Sequence, residues 1–225
     1  MSRTGGSLHT YAQSGDLAGV KTLIESNKNV VNSKDEDERT PLHWSVSGGH
    51  LPIVDFLLSQ GATIDAQDDA AWTPLMIASS SGRIDIAERL IRAGADVQAQ
   101  NDNGQSSLHY AASKKQPEIV DMLLGAGADP NMRDKYEQTP LFRAAALGYT
   151  NIARMLIRAK ARINIKDFVG NTPLHVAIEG GNGDLAVMLM QTGADVDVEN
   201  MEKMAPIEMT KDTNLKKFIE KALVE

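Results

Sequence analysis

Histidine is the residue type in this sequence best suited to metal binding or acid–base catalysis. The five histidines are His9, His43, His50, His109 and His175. Four of them fall at the same place in an internal repeat, so they lie one or two repeats apart. A metal site needs ligands that converge within about 2 Å of one ion. This spacing predicts no metal site. It predicts histidines that hydrogen-bond to backbone or threonine groups within and between repeats.

Serine–histidine pairs and glycines do not predict catalysis either. The segment Ser106–His109 reads SSLH, but a serine nucleophile needs a base that is itself oriented by a third group, and no such constellation is present. The glycines fall at predicted helix ends with the period of the repeat, not in a phosphate-binding loop after a strand. The chain has no cysteine, which excludes disulfides, cysteine-ligated zinc and a thiol nucleophile. We therefore predict a protein that is not an enzyme and has no cofactor.

A tetrapeptide recurs every 33 residues along the chain. Its copies are TPLH at Thr40, TPLM at Thr73, SSLH at Ser106, TPLF at Thr139 and TPLH at Thr172. A second apolar segment follows in each unit, as in IVDFLL from Ile53. Threonine suits a helix N-cap, proline suits the first turn and glycine suits the helix end. Each unit therefore predicts two short helices and a turn. Such helices bury their apolar faces by stacking into a solenoid.

These units resemble the ankyrin repeat in length and in its T-P-L-H-x-A signature. The resemblance implies an all-α fold, an ankyrin-repeat solenoid of about seven 33-residue helix–turn–helix units with protruding β-hairpin-like turns. We expect a single ankyrin-repeat domain over residues 1–225. Its repeats are predicted at 6–38, 39–71, 72–104, 105–137, 138–170 and 171–203, with a cap at 203–225.

One position of the repeat, in the turn just before the first helix, departs from the glycine expected there. Glycine is kept at Gly104 and Gly170, but other residues replace it in four repeats. The replacements are Glu38, Ala71, Glu137 and Lys203. Because side chains with a Cβ disfavour the left-handed conformation, we expect strained or rearranged turns at these four positions.

The ankyrin resemblance implies a concave face. It is lined by the tips of the turns that precede the first helices, called the tips below, and by the ends of those helices. Acidic residues dominate the first three tips, through Asp35, Glu36, Asp37, Glu38, Asp68, Asp69 and Asp102. Basic residues dominate further along. Exposed aromatics flanked by charge are typical of interface anchors. The predicted partner-binding residues are Arg39, Lys114, Asp37, Asp69, Trp72, Tyr136, Arg143 and Phe168. The alternative is that acidic tips are solvated loops and that single exposed aromatics carry no function.

Four longer segments are similar to one family of ankyrin-repeat proteins, the gankyrin family of proteasome regulatory-particle assembly chaperones, including its fungal members. They are RTPLHWS at Arg39–Ser45, DDAAWTPL at Asp68–Leu75, LHYAASK at Leu108–Lys114 and NTPLHVA at Asn171–Ala177. The resemblance implies a chaperone, monomeric when free, that grips the C-terminal domain of a proteasomal ATPase subunit in the cytoplasm and nucleus.

Within that family, Arg39 and Lys114 match positions that meet acidic residues of the partner. Asp37, Asp69, Trp72 and Tyr136 correspond only as turn positions. The family's mammalian member is associated with an LxCxE motif, but the matching segment here, Val176–Gly180, has no cysteine. The resemblance therefore does not extend to retinoblastoma-type binding.

Charge and hydropathy argue against a nucleic-acid partner, a membrane span and a secretory signal. The net charge of −7 disfavours nucleic acid, which requires a basic face. No apolar run approaches the ~18 residues of a membrane span, and the N-terminal residues show no secretory pattern. We expect a soluble intracellular protein. The rival interpretations are another ankyrin adaptor or inhibitor that binds a transcription factor or kinase, and a structural scaffold or membrane-linked adaptor.

Overall fold

The computed structural model describes residues 7–224, with side chains described through residue 222. Gly6, the first residue of the first predicted repeat, and Glu225, the last of the cap, lie outside this range. The regular secondary structure of the described residues is helical and includes no β-strand, which confirms the predicted all-α fold. Within them, no helix is both long and apolar enough to cross a bilayer.

The chain divides after Asp102 into two compact units. The first contains the helices α1 (Leu8–Ser14), α2 (Leu17–Ser26), α3 (Pro41–Gly48), α4 (Leu51–Ser59), α5 (Pro74–Ser81) and α6 (Ile84–Arg92), with a 3-10 helix at Lys28–Asn32. The second contains α7 (Ser107–Ser113), α8 (Pro117–Gly125), α9 (Pro140–Ala146), α10 (Thr150–Arg158), α11 (Pro173–Glu179), α12 (Gly183–Gln191) and α13 (Thr213–Val224), with a 3-10 helix at Pro206–Met209.

The repeated tetrapeptide starts the first helix of each pair. In α5, Thr73 is the N-cap, its hydroxyl accepts the backbone N–H of Met76, and proline occupies the first turn. The leucine that follows is at most 1% exposed in every copy: Leu42, Leu75, Leu108, Leu141 and Leu174. Burying one such side chain contributes about 1.5–3 kcal/mol. The motif therefore begins the helix and supplies its main core contact.

First helices stack on first helices within each unit. In the first unit α1 packs on α3 and α3 on α5; in the second, α7 packs on α9 and α9 on α11. Each also packs on its own second helix, as α3 does on α4 and α9 on α10. Helices of two turns cannot bury an apolar face alone, so this stacking forms the core.

The turns that precede the first helices are hairpin-like and start from an Asp or Asn residue. The backbone N–H of Asp68 donates to the carbonyl of Trp72 at 3.1 Å, and that of Asp134 donates to the carbonyl of Gln138 at 2.9 Å. The turn position at which glycine alternates with other residues takes the left-handed conformation in all six turns, with φ between 59° and 82°. The four non-glycine residues thus adopt the backbone that Gly104 and Gly170 adopt.

Replacing Ala71 by glycine is expected to stabilise the first unit by about 0.5–1 kcal/mol, because Ala71 has φ +59° and glycine removes the Cβ strain. Both tryptophans of the chain, Trp44 and Trp72, lie in the first unit. Their fluorescence during urea unfolding therefore reports on that unit. Ala70→Gly is the matched control. Its φ is not positive, so the same change should be neutral or destabilising; equal effects of the two would contradict the strain argument.

Candidate protein-binding surface

Backbone hydrogen bonds join successive turn tips within each unit. In the first unit the N–H of Asp69 donates to the carbonyl of Asp37 at 3.1 Å. In the second, Phe168 donates to Tyr136 at 3.0 Å and Met201 donates to Val169 at 3.1 Å. The tips of each unit therefore stand in a row, which fixes the spacing of the side chains that they carry.

An Asp or Asn at the start of each tip turns its side chain inward. The residues described in this role are Asp35, Asp68, Asp134, Asp167 and Asn200. In Asp68, Oδ1 accepts the backbone N–H groups of Ala70 and Trp72 at 3.1 and 2.8 Å. We call these five residues the turn column. They hold the hairpin-like turns in shape by replacing water as acceptor for two amides each.

Two acids assigned to the surface from sequence belong to this turn column. Asp68 is only 6% exposed. Asp35 directs Oδ1 to the amides of Asp37 and Arg39, and Oδ2 to the indole N–H of Trp44 at 2.6 Å. Burial raises the pKa of Asp35, but the hydrogen bonds from Trp44 and the two amides outweigh it and bring the pKa below its ordinary value. The outward acidic surface is thus smaller than the sequence suggested.

Arg39 links the first two tips. Its Nε donates to Asp68 Oδ2 at 3.2 Å, and its guanidinium lies over the Trp44 ring, 5.3 Å from the centroid. The carboxylate is buried, but 37% of the arginine side chain remains exposed. Arg39 is therefore held in place and still presents positive charge at the surface. A guanidinium fixed in this way loses less rotamer freedom when it binds a partner.

Arg143 lies in α9 at the position that Trp44 occupies in α3, and like Trp44 it binds the acid of the turn before its helix. Its Nη2 donates to Asp134, whose side chain is fully buried and whose other oxygen accepts the amides of Tyr136 and Gln138. The arginine side chain is 27% exposed. Among the eight residues predicted to bind a partner, Arg143 has its charge most clearly engaged in holding a turn.

The remaining predicted residues lie on the tips or next to them. Asp37 and Asp69 are exposed on adjacent tips of the first unit. Trp72 is half-buried and lines a cavity of about 160 Å³ with Arg39, His43 and Trp44. We call Asp37, Arg39, Asp69 and Trp72 the first tip surface.

The second unit carries an apolar row on its tips. Tyr136 is 65% exposed, Phe168 is 69% exposed, and Val169 and Met201 are exposed as well. We call these four residues the second tip surface. Lys114 lies in the same unit, exposed at the C-cap of α7. Tyr136 and Phe168 were predicted from their sequence positions. Met201 was not, although the same 33-residue spacing places it one repeat after Phe168.

The histidines of the repeat hold neighbouring repeats together. In His43, Nδ1 accepts the backbone N–H of Thr40 at 3.1 Å, so the proton of the neutral ring is on Nε2, which donates to the carbonyl of Trp72 at 3.0 Å. His109 and His175 make the same contacts to Gln138 and Met204. These bonds confirm the structural role expected for them. Within residues 7–224 no group of three His, Asp or Glu side chains is arranged to hold a metal ion.

Burial sets the ionisation of these three rings. It lowers the pKa of His43, His109 and His175, more than offsetting the hydrogen bond that each ring donates to a carbonyl. For His109 the pKa falls to about 4. At neutral pH all three rings are therefore uncharged acceptors and donors within the stack.

Comparison with known proteins supports the repeat assignment. The ankyrin repeats (3 copies) family matches residues 8–101, 65–134 and 108–200. Among solved structures, the ankyrin repeat domain of Bcl-3 superposes with a TM-score of 0.84 at 24% identity, covering 97% of this chain and 100% of that chain. At this identity the likeness concerns the fold alone.

Curated relatives match over short segments. The human 26S proteasome non-ATPase regulatory subunit 10 is 44% identical over 53 residues, which is 24% of this chain and 24% of the relative. Its Dictyostelium discoideum counterpart is 40% identical over 62 residues, 26% of this chain and 27% of the relative. Palmitoyltransferase akr1 of Schizosaccharomyces pombe is 46% identical over 59 residues, 26% of this chain but 9% of the relative. The matched segments thus span about a quarter or less of these relatives. The family matches together cover residues 8–200, and the chain belongs to the ankyrin repeat family.

Proposed function

We propose that this chain is a non-enzymatic chaperone that binds the C-terminal domain of an ATPase subunit in the base of the proteasome regulatory particle, and that it assists or checks assembly of that base. Ankyrin repeats form a scaffold for protein binding, and solenoids of this kind bind through extended surfaces. The partial similarity to the proteasome regulatory subunit 10 of several organisms supports the proteasome link.

The observation that carries the proposal is the geometry of Arg39. Its guanidinium is fixed between the Asp68 carboxylate and the Trp44 ring, yet more than a third of its side chain is exposed. A positioned guanidinium can bind a carboxylate of the partner through two parallel hydrogen bonds. Lys114 supplies a second exposed cation. Both residues are thus suited to acidic groups on the bound ATPase domain.

The other tip residues suit a partner with both apolar and basic groups. Exposed Asp37 and Asp69 would attract basic side chains, and Trp72 beside them offers a ring edge for packing. Tyr136 and Phe168 provide large exposed aromatic area, which is typical of residues that dominate binding energy. The charged groups select the partner and speed encounter, while the rings contribute most of the affinity. The protein would act in the cytoplasm and nucleus, as a monomer until it meets its partner.

Neutralising the two cations is expected to weaken partner binding at least tenfold, which is about 1.4 kcal/mol. The variant is Arg39→Gln with Lys114→Gln. Glutamine suits position 39 because Gln138, in the same column of the second unit, donates to Asp167 at 2.9 Å as Arg39 does to Asp68. The variant therefore keeps the bond between tips and removes only the charge. Arg39→Glu with Lys114→Glu should weaken binding further.

The measurement is co-purification from the native cell with mass spectrometry of the bound proteins, followed by titration of the isolated ATPase domain. Arg154→Gln with Arg162→Gln, both exposed away from the tips, is the matched control and should bind like the wild type. Recovery of a regulatory-particle ATPase with the wild type, and its loss with Arg39→Gln and Lys114→Gln combined, supports the proposal. A set of partners without proteasome subunits would overturn it and would leave an adaptor for another target, such as a transcription factor or kinase.

A further inference from the structure

The end of the second unit contains an open groove beside the last turn tip. In the earlier repeats of this unit the first helices α7, α9 and α11 each have seven residues. The last repeat has only the four-residue 3-10 helix Pro206–Met209 at this place. Its N-cap residue, Ala205, has no hydroxyl to accept an N–H of the first turn. The shortened helix leaves a groove of about 440 Å³.

Four of the side chains that line the groove are apolar. They are Val169, Met201, Met204 and Met209, and two asparagines, Asn171 and Asn200, lie among them in the lining. Val169 is 49% exposed and Met201 74% exposed. The methionine side chain is flexible and polarisable, so it adapts to the shape of an apolar group that enters. Together with Phe168 on the neighbouring tip, these side chains form an exposed apolar patch of the kind that marks binding sites.

The rim of the groove is predominantly negative. Glu179, at the end of α11, and Glu202, on the last tip, are both exposed there. Glu208 also lines the groove, with Oε2 accepting the backbone N–H of Ala205 at 2.7 Å. Lys211 is the single cation of the lining. Carboxylates around an apolar depression favour a cationic group next to the apolar group that fills it.

We infer that this groove binds a peptide segment of a partner protein in which an aliphatic or aromatic residue is followed directly by lysine or arginine. The apolar side chain packs among Val169 and the three methionines, and the cation lies between Glu179 and Glu202. The volume falls within the range of pockets that hold small ligands, so one or two side chains fill it. The inference rests on the proposed protein-binding function and assigns to it a partner chemistry at this end of the second tip surface.

A second copy of this chain suits the groove less well. The chain has a net charge of −7, so self-association would bring one acidic surface to another. A nucleic acid or a lipid phosphate is disfavoured by the same carboxylates. Charge complementarity therefore selects a basic, apolar peptide, and self-association becomes an outcome that the experiment can detect.

The test uses methyl-labelled methionine in the full chain. The sequence has ten methionines, and their methyl signals are assigned by single Met→Leu substitutions. The probe is a capped peptide with a Leu-Lys pair in a Gly-Ser frame. We expect it to shift the signals of Met201, Met204 and Met209, while those of Met122 and Met155 on α8 and α10 remain unchanged. A peptide with glutamate in place of lysine, and one with serine in place of leucine, should each bind at least fivefold more weakly.

Two variants test the rim. Glu179→Gln with Glu202→Gln should weaken the Leu-Lys peptide at least fivefold, whereas Asp121→Asn with Glu220→Gln, exposed acids outside the groove lining, should not. Unchanged methionine signals at millimolar peptide, equal binding of the glutamate peptide, or shifts that depend on protein concentration alone would each overturn the inference. Recovery of a proteasomal ATPase without peptide binding would refute only the groove. Peptide binding without proteasome subunits would refute only the chaperone assignment.

Discussion

Replacing Asp68 by alanine is expected to lower the free energy of unfolding of the first unit by about 2–4 kcal/mol. The carboxylate is buried and accepts three hydrogen bonds, from the amides of Ala70 and Trp72 and from Arg39 Nε. Alanine leaves two backbone N–H groups of the turn without their acceptor. It also frees the Arg39 side chain, which then loses its fixed position next to Trp44.

The adjacent residue provides a matched control. Asp69 is exposed, and its contribution to the row of tips is a backbone hydrogen bond that alanine retains. Asp69→Ala changes the charge equally and should alter stability by no more than about 0.5 kcal/mol. Asp68→Asn should cost less than alanine, about 1–2 kcal/mol, because Asn200 makes the same two amide contacts in its own turn.

Urea unfolding followed by the fluorescence of Trp44 and Trp72 measures these effects in the first unit. The order expected is wild type, Asp69→Ala, Asp68→Asn and Asp68→Ala, from most to least stable. Similar losses for the two alanine variants would mean that the carboxylate of Asp68 does not support the turn. Partner binding gives a second readout, because Asp68→Ala should also weaken any interaction that depends on a positioned Arg39.

Acid is expected to destabilise the second unit between pH 6.5 and pH 4, because protonation of His109 opposes folding. The folded-state pKa of His109, about 4, lies below the ordinary value of 6.5. Because the folded-state pKa is depressed, the unfolded chain binds the proton more tightly than the folded chain does. The contribution of the neutral ring to the free energy of unfolding is therefore complete above pH 6.5 and declines as pH falls. At pH 5 the loss from His109 alone is about 2 kcal/mol.

The geometry explains why the folded state resists protonation. Nδ1 of His109 accepts the backbone N–H of Ser106 at 3.1 Å. A proton on Nδ1 would face that N–H in a site 1% exposed to solvent. His175, in the same unit, has its pKa lowered for the same reason and adds to the effect.

His109→Met separates this titration from other acid effects. Methionine suits the site because Met76 occupies the equivalent position of α5, where it is fully buried. The variant loses the hydrogen bonds of the ring and should be less stable at pH 7.5. The difference from the wild type, measured by urea unfolding with far-UV circular dichroism, should shrink by about 2 kcal/mol at pH 5. Parallel stability profiles for the two proteins would show that His109 does not titrate on unfolding.

The sequence indicated the helices well because their signals are local. Thr40 and Thr73 followed by proline predict helix starts, and both threonines are N-caps. The unusual turns at Ala71 and Glu137 were also predictable, because glycine occupies the same column in other repeats.

The direction in which the tip side chains point was harder to predict from the sequence. Asp68 and Asp69 are neighbours of the same type, yet one is buried and the other exposed. That difference depends on which carboxylate reaches two amides and the arginine of the preceding tip, and composition and charge do not reveal it. The 33-residue recurrence of Asp or Asn in the turn column was the available signal. Arg143 shows the same limitation, since its carboxylate partner, Asp134, lies nine residues earlier in the turn before its helix.

The hydrogen bonds that join Arg39, Gln138 and Asn171 to the turn column have a consequence for how such a protein can acquire new partners. These three residues occupy one column. Arg39 donates to Asp68 at 3.2 Å and Gln138 donates to Asp167 at 2.9 Å, whereas Asn171 accepts the side-chain amide of Asn200 at 2.8 Å. A cationic side chain and neutral side chains thus form the same hydrogen bond between successive tips. Mutation at this column can therefore change the charge shown to a partner while the joint between repeats persists, so recognition can diverge without a matching loss of stability.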